Sequence, residues 1–144
     1  MHKKKEGGTY YLIYVMKGLC MIKRFLFAIV TLSIGILIYV LYKYQVLVKG
    51  NYISTFIRNF VPDILWIISF YFISVCCMRN LTKRYMFATA VYTFIFSIIF
   101  ELCQLTGKVH GTFDVLDIGV YFIAVLIAYT IEKFIFRGNY YEKD

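Results

Sequence analysis

Residues 25–42 run for eighteen positions without a formal charge before Lys43 closes the stretch. Further apolar runs occupy 64–78, 85–103 and 115–136, the last broken near its end by Glu132 and Lys133. A helix needs about 20 mainly apolar residues to cross a bilayer. The first run reaches that length if its flanking Tyr and Lys side chains extend into the headgroups. Val61, Pro62 and Asp63 lengthen the second. Helices satisfy their own backbone hydrogen bonds, as lipid requires. The predicted fold is therefore all-α, a four-helix transmembrane bundle with spans at about 25–43, 62–78, 85–105 and 115–136.

Composition agrees. Of 144 residues, 61% are hydrophobic and 17% charged, and mean hydropathy is +0.71. A soluble domain of this size buries only about two thirds of its surface, too little to hide so many apolar side chains. Residues 1–24 form a basic segment whose apolar piece, TYYLIYVM, is too short to span and suits the interface. Residues 25–136 form the membrane domain and 137–144 a polar tail. The first run lacks a small-x-small cleavage site and more spans follow it, so it reads as a retained anchor rather than a signal peptide. Met21 stands just before Ile22, Lys23 and Arg24, so Met1 and Met21 both stand as candidate starts.

The net charge of +8 is distributed between the apolar runs. That is the pattern of loops facing cytoplasm and anionic lipid, and no nucleic-acid signature accompanies it. Alternate loops carry twelve Lys and Arg on one side and four on the other. The positive-inside rule then places both termini in the cytoplasm. Cys20, Cys76, Cys77 and Cys103 form no CxxC pair and read as packing residues.

Acidic, amide and glycine residues gather in one place, the stretch ELCQLTGKVHGTFDVLD at 101–117. With the derived orientation, Arg58, Asp63, Glu101, Gln104, Lys108, His110, Asp114 and Asp117 fall at the outer side. Glu101 and Gln104 share a helix face, as do Asp114 and Asp117. An acid at the edge of a span is costly unless paired, protonated or facing a wet cavity. Glu101 is thus a ligand-facing or proton-handling acid, or a structural partner of Arg58 or Lys108. Asp114 suits an N-cap and Asp117 the first turn of the fourth helix. Pro62 suits the first turn of the second, with Asp63 at its positive end. Tyr121, one turn after Asp117, is placed to bond that carboxylate. Paired acids suit acid–base work or a divalent cation. One His beside carboxylates makes no zinc site, so no metal ligands are assigned.

The blocks VPDILWIISFYF and FELCQLTGKVHGTFDVLDIGVYFIAVLIAY resemble the VanZ-like family of small polytopic membrane proteins. The likeness is closer to an uncharacterised subgroup with an ExxQ…GTFDxxD pattern. It covers most of residues 55–130 and implies that Glu101, Gln104, Asp114 and Asp117 are shared polar positions. Tyr121 and Ala124 depart from the Asn and Gly of the glycopeptide-resistance type, which favours the uncharacterised subgroup over a role in glycopeptide tolerance.

Together these readings predict a bacterial plasma-membrane protein that binds or modifies a lipid-linked or cell-envelope molecule, such as a cell-wall precursor, at an outward-facing cluster. Glu101, Asp114 and Asp117 are the candidate catalytic residues. Arg58, Asp63, Gln104, Thr112 and Tyr121 are the candidate ligand-binding residues. Membrane lipids are expected partners, nucleic acid is not, and oligomerisation fits so few spans. The alternative is a non-enzymatic structural or accessory subunit of a membrane complex or transporter, whose polar cluster only pairs helices.

Overall fold

The computed structural model describes residues 6–44, 52–78, 82–107 and 113–136. They form α1 (Glu6–Lys43), α2 (Tyr52–Cys76), α3 (Lys83–Leu105) and α4 (Val115–Ile131), the last running into a π-helical turn, Glu132–Phe136. Segments Gly18–Lys43, Phe56–Cys76, Lys83–Leu105 and Val115–Phe136 are long and apolar enough to cross a membrane. The all-α bundle of four long apolar helices matches the sequence expectation.

Two boundaries differ from it. The first helix begins at Glu6, so the segment expected at the interface continues directly into the span. At about 1.5 Å per residue α1 is roughly 57 Å long, well beyond a hydrocarbon core of about 30 Å. Pro62 does not open a helix; it lies inside α2, which starts at Tyr52. There it withholds the N–H that would reach the Arg58 carbonyl. Asp63 is consequently a mid-helix carboxylate, away from the positive end of its own helix.

Local sequence explains the other ends. Thr82 caps α3 by accepting from the Tyr85 N–H at 3.4 Å. Asp114 caps α4 by accepting from the Leu116 N–H at 2.9 Å. After α3, Gly107 takes φ 68°, a left-handed conformation that glycine adopts without a Cβ penalty.

The core is built mainly on α2, which packs against α1, α3 and α4. Ile67, Ile68, Tyr71, Phe72 and Val75 of α2 meet Ala28 of α1, Ala90 of α3 and Tyr121, Ala124, Val125 and Ala128 of α4. Small residues let helix backbones approach closely, which is the main attractive device between helices in lipid. Gly35 shows it at α1–α2: a Cβ there would stand 3.3 Å from Leu65 Cβ and 3.5 Å from the Pro62 carbonyl oxygen.

The outside is apolar. Leu26, Val30, Ile36 and Leu37 of α1, Phe87, Tyr92 and Ile99 of α3, and Phe122 and Ile123 of α4 are all exposed. The buried face of α3 is by contrast polar, with Thr89, Thr93, Ser97 and Glu101 recurring every four residues. On α3, polar inside and apolar outside reverses the pattern of a soluble bundle's helix. This is the architecture of a multi-pass membrane protein.

Candidate functional site

The stripe on α3 ends in Glu101, whose side chain is fully buried. Its Oε1 accepts from the Asp114 backbone N–H at 3.0 Å, and its Oε2 accepts from the Tyr121 hydroxyl at 2.9 Å. Both partners belong to the start of α4, so one carboxyl ties the end of α3 to the helix that follows. Neither partner is a cation. The ion pair with Arg58, one of the alternatives for Glu101, is not formed: Arg58 is exposed and donates to Asn59 Oδ1 at 3.0 Å. Nor does Tyr121 bond Asp117, as its position one turn later suggested; its hydroxyl is given to Glu101.

A second polar contact joins α1 to the end of α4. Glu132 is fully buried and Arg24 nearly so. Arg24 Nε donates to both carboxylate oxygens, at 3.1 and 3.0 Å, and Nη2 donates to Oε1 at 2.6 Å. Nη2 also reaches the Phe136 carbonyl at 3.5 Å. The planar guanidinium suits this two-pronged geometry in a way that an ammonium does not. Beside it Phe27 packs edge-on against Phe72 and Phe136, which are tilted against each other, with ring centroids 4.9 to 5.8 Å apart. The π-helical turn supplies Glu132 and Phe136 together. Between α1 and α2, Thr31 and Ser69 share a hydroxyl–hydroxyl hydrogen bond of 2.7 Å.

Sequence reasoning missed Arg24 and Glu132 as a pair. Arg24 was counted as a flanking topology charge and Glu132 as an interruption. The available signal was that Lys23 and Arg24 open the first apolar run and Glu132 and Lys133 interrupt the last, at the same membrane level on spans running in opposite directions.

The remaining candidates fall into three groups. Asp63, Gln104, Asp114, Asp117 and Tyr121 line one cavity of about 350 Å³ between α2, α3 and α4. Arg58 and Glu101 do not line it. Thr112 lies outside the described residues, as do Lys108 and His110. Among the described residues no three His, Cys, Asp or Glu side chains gather closely enough to hold a metal ion.

The expected outward-facing acidic cluster is therefore corrected. Glu101, its central member, has no exposed surface and both its oxygens are bound by groups of the neighbouring helix. The other strongly buried acid, Glu132, is likewise committed to a helix–helix contact. Burial forces this outcome, because an acid in an apolar interior persists only with partners for its oxygens. The reading of a surface cluster that binds or modifies an envelope molecule falls with it.

Fold and contacts define a four-helix membrane protein with polar groups clasped between its helices. Comparison with protein-family models, with curated proteins and with solved structures gave no match.

Proposed function

We propose that the chain is a non-enzymatic membrane subunit, structural or accessory to a larger membrane complex or transporter. One observation carries this reading: among the described residues, both fully buried acids hold helices together, Glu101 across α3–α4 and Glu132 across α1–α4. A catalytic acid needs a free oxygen facing its substrate, and Glu101 has given both to Asp114 and Tyr121. The broad apolar exterior supplies surface for lipid and for neighbouring spans, since helices in lipid associate by packing rather than by hydrophobic exclusion. The ExxQ…GTFDxxD pattern supports assigning the chain to a VanZ-like subgroup in a bacterial plasma membrane. The charge asymmetry supports cytoplasmic termini.

The test is assembly. The full chain is extracted from its native membrane in a mild detergent, and its size is compared with that of Glu101→Ala and Glu101→Gln. A structural subunit migrates in a complex larger than the single chain. Alanine should lower both the folded yield and the complex, while glutamine, which keeps one acceptor oxygen, should fall between. Migration as a single chain at native expression levels would overturn the reading. So would an Ala variant that folds and assembles as the parent does.

A further inference from the structure

The cavity between α2, α3 and α4 has a composition that the helix-fastening contacts do not use. Asp63 reaches it from α2 and Asp117 from α4, with the amide of Gln104 from α3 beside them. Among the described residues neither aspartate side chain has a hydrogen-bond or salt-bridge partner. Among the described residues no Lys or Arg lines the space. The rest of the wall is largely aromatic, including Trp66, Phe70 and Phe96. A second cavity of about 320 Å³, between α1 and α2, is lined by apolar groups such as Leu32 and Ile36 and shares Asp63, Trp66 and Phe100 with the first. An acidic, aromatic chamber thus adjoins an apolar one across the same residues.

We propose that these adjoining cavities bind an amphipathic organic cation, its charged head between Asp63 and Asp117 and its apolar part along Trp66 and Phe100. Two carboxylates with no cation partner among the described residues, at the edge of a low-dielectric interior, attract positive charge strongly and repel anions. Aromatic faces add a cation–π attraction that strengthens as the cation is desolvated. A bare metal ion fits poorly. The volume is that of small-molecule sites, which span about 300–1,000 Å³, and no three-ligand group is assembled among the described residues. This goes beyond the structural role: Glu101 and Glu132 keep theirs, and their variants test that role separately.

Trp66 is the chain's single tryptophan, so its emission reports directly on both cavities. The full chain in an uncharged sugar detergent is titrated with hexyltrimethylammonium, with hexanesulfonate and with hexanol. The cation should give a saturable change in Trp66 emission, and the anion and alcohol responses should be at least tenfold weaker. Asp63→Asn and Asp117→Asn should each weaken the cation response tenfold or more. An unsaturable change, equal responses to cation and alcohol, or full cation binding by both Asn variants would overturn the proposal. If the Asn variants do not fold, the comparison of the three probes on the unaltered chain decides the matter alone.

Discussion

Glu101 is the residue whose removal should be felt most at the α3–α4 junction. Alanine would leave the Tyr121 hydroxyl and the Asp114 N–H without their acceptor. Orphaning the buried Tyr121 hydroxyl costs about 1–3 kcal/mol, and orphaning the partly buried Asp114 N–H about 1–2 kcal/mol. Glu101→Ala should therefore lower stability by about 2–5 kcal/mol, and Tyr121→Phe, which removes one donor, by less. Thermal unfolding in detergent, followed by circular dichroism, reads both. The Arg24–Glu132 pair makes a sharper case. Taking away one partner strands a buried charge, at a cost of about 3–5 kcal/mol, whereas apolar replacement of both is often neutral. Glu132→Ala should destabilise strongly, and the double variant Arg24→Met, Glu132→Leu should recover most of the loss. A double variant as weak as the single one would show that the pair contributes more than mutual neutralisation.

At the scale of elements, glycines separate close packing from helix propensity. Gly35 sits against Leu65 Cβ and the Pro62 carbonyl oxygen of α2, and Leu65 Cβ can yield only if α2 moves. Gly35→Leu should force α1 away from α2 and cost about 1–3 kcal/mol, the usual penalty of overpacking. Gly119 lies in α4 with nothing within 4 Å of where its Cβ would be. Gly119→Ala should stabilise by up to about 1 kcal/mol through backbone preference alone. Unfolding midpoints of the two variants should move in opposite directions.

The elements also show what the sequence could tell. Apolar run length located four helices, and Asp114 announced its cap, because both depend on local chain chemistry. The start of α1 was hidden because residues 6–24 mix basic and apolar positions, a pattern that suits an interface as well as a helix extension. Pro62 misled because its usual place is a first turn, and only the approach of Gly35 and the packing of α2 place it inside a helix. The site was legible as a set and misjudged in role. Gln104, Asp114 and Asp117 were picked out by polarity, and Asp63 with them, and they do share a cavity. That Glu101 stays out of the cavity lining while bonding Tyr121, and that Arg24 meets Glu132, are facts of tertiary contact between residues 20 and 108 positions apart.

For the whole molecule, insertion and packing pull on the same charges. Twelve Lys and Arg fall in one set of alternate loops and four in the other, an asymmetry that predicts cytoplasmic termini. Arg24 belongs to the majority side, yet it is buried against Glu132 rather than held in solvent. A paired charge that lies within the helix layer is a weaker retention signal than a free one in a loop, so orientation should rest on the loop charges. A membrane-impermeant maleimide tests this on intact cells. Cys77, exposed just beyond α2, should label only after the membrane is opened. A cysteine placed at position 108, in a chain without its four native cysteines, should label from outside. Arg24→Met combined with Glu132→Leu should leave both labelling patterns unchanged, whereas replacing Arg79, Lys83 and Arg84 together should scramble them. Reversed labelling in the unaltered chain would turn the whole bundle over and leave every helix contact described above in place.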